Sequence, residues 1–167
     1  MSERTSTGSR ILEVAWDDPR ATALRDELDA DLGARYDGFH GDEPAERRAA
    51  RSRALAMHPD DIVATLIAVD ADGTPTGHVI LRRLGEEWEI KRLVVTAAAR
   101  GRGTARALMR TALDRARADG AERVILQTGI PQPESVALYE SLGFTRIPVY
   151  EPYVETMPRS ICFAYVF

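Results

Sequence analysis

Apolar and polar positions along the chain switch between two periods, one near two residues and one near four. RILEVAW (10–16) reads as a short strand. In the next stretch, DDPRATALRDELDADLG, Leu24, Leu28 and Leu32 recur every four residues. Asp18 as N-cap, Pro19 at the first position and Gly33 as the stop predict a helix there. After the polar loop YDGFHGDEP, Pro44 opens a second predicted helix that runs through Ala56. DIVATLIAV (61–69) is continuously apolar, as a strand covered on both faces would be. HVILRRL (78–84) and EWEIKRLVV (87–95) follow across the turn-forming DADGTPTG and Gly85, which predicts antiparallel neighbours. From Arg102 to Ala118 the residues Ala105, Leu108, Met109, Ala112, Leu113 and Ala116 trace one helix face, closed by Asp119-Gly120. ERVILQT (122–128) reads as a strand and PESVALYESLG (133–143) as a short helix. FTRIPVYEPYVETMP reads as a proline-interrupted loop after a brief strand, and SICFAYVF (160–167) as a final strand.

The order is thus β-α-α-β-β-β-α-β-α-β-β, and the helix at 102–118 must join its two strands by a parallel crossover. The predicted fold class is α/β, an α+β mixed sheet. The 167 residues, 44% hydrophobic and 29% charged, fit one domain over 1–167 with residues 1–9 as a loose tail. A chain of this length buries roughly 70% of its unfolded surface and needs no staples. A lone cysteine, Cys162, excludes an internal disulfide framework and offers no zinc spacing. His40, His58 and His78 match no metal motif, so no metal is expected. There is no run of 18 apolar residues and no signal-peptide core near the start, from which a cytoplasmic protein without membrane contact is expected.

Charge alters the picture in one place. Residues 91–117 hold eight basic groups against Asp114 alone, a segment of +7 that leaves −11 to the rest of a chain whose net charge is −4. Within it, RGRG stands at the mouth of a helix directly after a strand. The first four N–H groups of a helix lack internal partners, and the helix dipole adds positive potential there. Glycines let a ligand approach the backbone, so the unit is a candidate phosphate site, against the plainer alternative of a glycine-capped turn. It is not a P-loop, because no GxxxxGK[ST] exists, and GRGTAR lacks the third glycine of a dinucleotide fingerprint. Arg102, Arg106 and Arg110 share a helix face, yet no helix–turn–helix order is present and the chain is acidic, so nucleic acid is not the expected partner.

EIKRLVVTAAARGRGTARALM resembles the acetyl-CoA-binding segment of the GNAT superfamily of N-acetyltransferases, whose loop pattern [RQ]-x-x-G-x-[GA] is met by Arg100, Gly103 and Ala105. About 30 residues on, QPESVALYESLGF resembles the same family's second segment, with Tyr139 in the tyrosine position. The recognisable part covers roughly 62–147. The resemblance implies a GNAT-like fold: a mainly antiparallel sheet of six to seven strands with a splayed central parallel pair, flanked by about four helices. It implies acetyl-CoA as co-substrate. Leu93, Val94 and Val95 would pair with the pantetheine arm as an added strand, and Arg100, Gly101, Arg102, Gly103, Thr104 and Ala105 would wrap the pyrophosphate. Tyr139 would protonate or hydrogen-bond the leaving thiolate, its alternative role being that of a tyrosine packed in the core. Gln132 and Ser135 stand where asparagine and alanine are usual, and both can still reach the cofactor by hydrogen bond.

Acetyl transfer to nitrogen needs a neutral amine, and neutralising a lysine-like ammonium at pH 7 costs roughly 4–5 kcal/mol. Glu89, six residues before Val95, occupies the position of the glutamate base in some family members. Glu86, Glu87 and Glu134 are weaker alternatives, and the plainer reading of Glu89 is an edge carboxylate paired with Arg92 or Arg82. A backbone N–H of Val94 or Val95 is the expected oxyanion donor. Asp26, Glu27, Asp29, Asp31, Asp37, Asp42 and Glu43 border the acceptor side, where such a field would attract a cationic amine or simply face solvent. The function expected is N-acetylation of a small-molecule primary amine by direct transfer. An inactive acyl-CoA-binding module and, remotely, a nucleic-acid binder are the alternatives. Whether the chain forms a homodimer stays open.

Overall fold

The computed structural model describes Thr5–Ser6 and residues 8–167. The tail expected over 1–9 therefore lies partly outside the described residues; within it, Thr5–Ser6 (β1) pairs with Ser9–Val14 (β2). The helix α1 (Pro19–Arg35) starts where Asp18 accepts a hydrogen bond from the Arg20 backbone N–H at 2.9 Å. It runs past Gly33, because one glycine costs a helix only about 1 kcal/mol. The remaining elements are α2 (Ala45–Leu55), β3 (Ile62–Val69), β4 (Pro75–Leu84), β5 (Glu87–Val95), α3 (Thr104–Ala118), β6 (Arg123–Thr128), α4 (Pro133–Ser141), β7 (Thr145–Ile147), α5 (Tyr153–Thr156) and β8 (Ile161–Val166). The short helix α5 lies in the stretch read from sequence as loop. No helix among the described residues is long and apolar enough to cross a membrane.

One sheet runs through the molecule in the order β1-β2-β3-β4-β5-β6-β8-β7. All its pairs are antiparallel except β5 with β6, the pair joined through α3. The apolar run of β3 is explained by cover on both faces. Ala64, Leu66 and Ala68 join the core under α3, while Ile67 and Val69 pack with Ala21, Leu24 and Leu28 of α1. The face of α3 expected from periodicity is buried at Leu108, Met109, Ala112, Leu113 and Ala116, with Ala105 half-buried. Fully burying Leu108 or Met109 contributes about 1.5–3 kcal/mol each.

Two details bring α3 to the site. Gly77 on β4 has no room for a side chain, since a Cβ there would stand 2.8 Å from Leu108 Cδ1 and 3.1 Å from the Val94 carbonyl. The first turn of α3 therefore lies close against the sheet. The helix also begins later than its periodicity predicts, at Thr104, with Gly103 in the left-handed region (φ 80°) as its N-cap. Arg102 belongs to the loop, not to the helix face of Arg106 and Arg110.

Candidate active site

The site is built where β5 and β6 part. Their parallel register holds only Glu89 opposite Ile125 and Ile90 opposite Leu126. Beyond that point β5 continues to Val95 and β6 to Thr128 without pairing, so the outer edge of β5 is open. On its other edge β5 carries a bulge: Ile80 stands opposite Lys91 and His78 opposite Val94, so Arg92 and Leu93 together face Val79. Arg92 is the only non-glycine among the described residues with positive φ, at 59°. Such a conformation costs roughly 1–2 kcal/mol and persists where its surroundings enforce it.

His78 enforces it. Its ring is fully buried, and Nδ1 lies 2.8 Å from the Arg92 carbonyl oxygen, to which it donates. That leaves Nε2 as acceptor, and an Arg25 guanidinium N–H approaches it at 3.2 Å. The same guanidinium donates to the Trp16 carbonyl at 2.6 Å and lies 3.8 Å over the Trp16 ring. Burial above all, with the Arg25 and Arg92 charges, lowers the imidazole to about 4, so it is neutral at physiological pH. Sequence reading placed no role on His78, because nothing in the one-dimensional pattern puts it beside Arg92.

At the far end of the open edge lies the glycine–arginine loop. Arg100, Gly101, Arg102 and Gly103 are exposed, and both glycines have positive φ, 76° and 80°. No side chain caps the N-terminus of α3, and the buried Thr104 hydroxyl has no partner among the described residues. Uncapped N–H groups, two guanidinium side chains and open space above both glycines fit a diphosphate by charge and by shape. Ala105, half-buried, closes the first turn.

The widening gap between β5 and β6 holds a cavity of about 350 Å³. Its walls come from α1 (Leu28, Leu32), the α1–α2 loop (Tyr36, His40), α2 (Arg51, Leu55), the bulged strand (Lys91, Arg92, Leu93), the end of β6 (Gln127, Thr128) and Gln132, Tyr139 and Met157. Of the strand residues expected along the pantetheine arm, Leu93 reaches the cavity, while the Val94 side chain packs into the core beneath α1 and Val95 pairs with Gly77. Tyr139 is buried with its ring among Phe144 and Phe163, so the core role and a place on the cavity wall coincide. Burial pushes its phenol up to about 12, against a smaller opposing effect of a hydrogen bond with Ser135 one turn earlier. Gln132 donates to the Tyr36 hydroxyl at 3.1 Å, and a Cβ at Gly129 would displace that hydroxyl. Arg35 donates to the Pro131 carbonyl at 3.3 Å and pairs with Glu134, which ties the end of α1 to the loop after β6.

The carboxylate expected as base sits elsewhere. Glu89 is fully buried and does not line the cavity. Arg82 Nε donates to Oε1 at 2.7 Å, and the Tyr150 and Tyr153 hydroxyls donate to Oε2 at 2.6 and 3.1 Å. Burial and then the Glu89 charge push both phenols well above their ordinary range. Tyr153 in turn accepts from Lys91 Nζ at 2.8 Å and from Arg82 at 3.3 Å. Every lone-pair direction of Glu89 that these groups meet is thus spoken for, which is the arrangement of a structural ion pair. The alternatives fare no better: Glu87 pairs with Arg123, Glu134 with Arg35, and Glu86 is exposed away from the cavity. Nor does the acidic field of the first helix reach inward. Asp29 pairs with Arg92, Asp31 with Arg35 and Glu43 with Arg51, and no aspartate or glutamate lines this cavity. Cys162 is buried, and burial raises its thiol to about 11, which does not suit a nucleophile.

A splayed parallel pair in a mostly antiparallel sheet, with a glycine–arginine loop at the head of the crossover helix, is the arrangement found in acyltransferases that use acyl-CoA, as the chain's relatives bear out. The sequence profile of the Acetyltransferase (GNAT) family matches residues 13–144, and the chain belongs to that family. It is 38% identical to N-acetyltransferase 8 of Rattus norvegicus over 55% of this chain and 38% of that protein. It is 33% identical to the IAA acetyltransferase of Azospirillum brasilense over 78% of this chain and 80% of that one. The chain therefore spans about half or less of the length of the first rat relatives it matches, 38% and 51%. Among solved structures, one from Klebsiella pneumoniae assigned as an acyl-CoA N-acyltransferase superposes with a TM-score of 0.74 at 22% identity, covering 97% of this chain and 99% of that one. A Bacillus anthracis structure assigned as a streptothricin acetyltransferase, in complex with acetyl coenzyme A, gives 0.55 at 18% identity over 64% of each chain.

Proposed function

We propose that the chain is an acetyl-CoA-dependent N-acetyltransferase that moves an acetyl group directly to a primary amine of a small molecule. The observation that carries this is the continuity of three features: an exposed glycine–arginine loop, an open edge along β5, and a cavity walled by Tyr139. In this reading Arg100 to Ala105 take the diphosphate of acetyl-CoA. The pantetheine amides pair with the free edge of β5. The thioester then lies where the strands diverge, and a backbone N–H of the bulged segment at Leu93 to Val95 meets the developing oxyanion.

The amine nitrogen attacks the thioester carbonyl, the C–S bond breaks, and the thiolate leaves. A phenol near 12 holds its proton against a free thiol of about 8.5, so Tyr139 stabilises the departing sulfur by a hydrogen bond. The nitrogen's surplus proton leaves through water or with the thiol. In place of a carboxylate base, the cavity presents Arg51, Lys91 and Arg92. Cations close to an ammonium favour its neutral form, which lowers the cost of deprotonation. The same lack of a carboxylate favours, as a second reading, a module that binds acyl-CoA without turning it over.

The test is a calorimetric titration with acetyl-CoA, followed by an amine panel in which free thiol release is recorded. Binding with turnover is expected. Binding without turnover of any amine supports the second reading, and no binding or thermal stabilisation at millimolar acetyl-CoA removes both.

A further inference from the structure

The charges around the cavity do not balance. Arg92 has Asp29 at the exposed rim, and Arg51 has Glu43. Behind the wall, one carboxylate, Glu89, stands against two cations, Arg82 and Lys91, and its direct bond is to Arg82. Lys91 is thus left without a carboxylate of its own. It is the chain's only lysine, it lines the cavity, and its side chain is buried. Its ammonium donates to the Tyr153 hydroxyl at 2.8 Å and lies 4.8 Å from that ring's centroid. Neither contact is anionic, and an ammonium has three protons to give. Burial, the largest influence, lowers Lys91 to about 8, so it remains mostly charged at neutral pH. Thr128, at the end of β6 on the same cavity, has a buried hydroxyl without a partner among the described residues. Leu28, Leu32, Leu55 and Met157 add apolar surface to the same cavity.

A buried ammonium on a cavity-lining residue, without a carboxylate of its own, is costly, and an anionic ligand group would offset that cost. We propose, resting on the acetyl-transfer reading above, that the acceptor is an amino acid or a close amino-carboxylate analogue: its carboxylate pairs with Lys91, its apolar side chain lies on the leucine wall, and its amine points toward Tyr139. The cavity, at about 350 Å³, is at the small end of the range of ligand pockets, roughly 300–1,000 Å³, which suits a single residue-sized molecule.

The experiment uses the full chain and three matched sets: leucine, leucinamide and isoamylamine; phenylalanine, its amide and phenethylamine; methionine, its amide and 3-(methylthio)propylamine. Each compound is titrated calorimetrically into CoA-saturated protein and assayed with acetyl-CoA for thiol release. In at least one set the acid should bind, and its kcat/KM should exceed that of the amide and the decarboxylated amine by tenfold or more. Lys91→Gln should erase the preference through KM for the acid while leaving acetyl-CoA affinity unchanged, and Lys91→Arg should keep most of it. Failure of every acid to bind, equal or better use of the decarboxylated amines, or a preference that survives Lys91→Gln overturns the proposal. Those outcomes leave acetyl-CoA binding intact, whereas failure of the acetyl-transfer reading shows in the acetyl-CoA titration itself.

Discussion

The two halves of β5 do different work with the same kinds of residue. In the first half, Glu89 and Ile90 are paired on both sides, and the Glu89 carboxylate is buried and met by one guanidinium and two phenols. From Lys91 to Val95 one edge is open, a bulge turns Arg92 into a left-handed conformation, and the charges border a cavity. In the first half the polar groups complete one another, so they hold the sheet together. In the second, Arg92 is paired with Asp29 at the rim while Lys91 has no carboxylate of its own. A buried charge is therefore informative about function only after its partners have been counted.

The largest effect should come from breaking the completed half. Glu89→Ala leaves Arg82 and Lys91 buried without an anion, and a loss of about 3–5 kcal/mol is expected. For a chain of this size that is roughly 10 °C or more in Tm by differential scanning calorimetry. Acetyl-CoA affinity of the folded fraction should persist; a variant that keeps its stability but loses turnover would reverse the assignment of Glu89.

Next in size is an acid effect at the junction of the halves. His78 lies near 4 in the folded protein, below the unfolded value of about 6.5, so the folded state binds fewer protons between those limits. Its contribution is complete above about pH 6.5 and is lost as pH falls toward 4, a change of about 3 kcal/mol. Urea unfolding across that range should show it, and His78→Gln should flatten the slope.

Tyr139→Phe tests the open half. The ring packing against Phe144 and Phe163 is kept, so stability should change by less than about 1 kcal/mol while kcat falls roughly a hundredfold with KM for acetyl-CoA little altered. Equal kcat values in a stopped thiol assay would return Tyr139 to the core. The smallest effect expected is that of Gly77→Ala. A methyl group 2.8 Å from Leu108 and 3.2 Å from Thr104 Cγ2 pushes the first turn of α3 outward, at about 1–2 kcal/mol and a several-fold rise in KM for acetyl-CoA.

Regular elements were legible because their causes are local. The leucine spacing of α1, the apolar run of β3 and the one-sided face of α3 each record which surfaces are covered. The exposed glycine–arginine loop was legible for the same reason, since glycines with positive φ beside arginines act over six consecutive residues. The fate of Glu89 was legible only in part: pairing with Arg82 stood among the alternatives, but its burial and its other partners did not. Its partners Tyr150 and Tyr153 lie some sixty residues away, in a stretch whose prolines suggested only loop, and they reach it because β8 returns to pair with β6. The pairing of Asp29, Asp31 and Glu43 with arginines was hidden likewise, for an acidic run looks the same whether it faces a cavity or solvent.

By itself, then, the sequence determined the order of elements, the parallel crossover and the glycine–arginine loop at the head of α3, all of which follow from short-range periodicity and backbone freedom. The tertiary structure alone decided which charges are spent on one another and which lack a partner of opposite sign. Electrostatic partnership depends on distances of a few ångströms between segments far apart in the chain, and no local pattern encodes those distances.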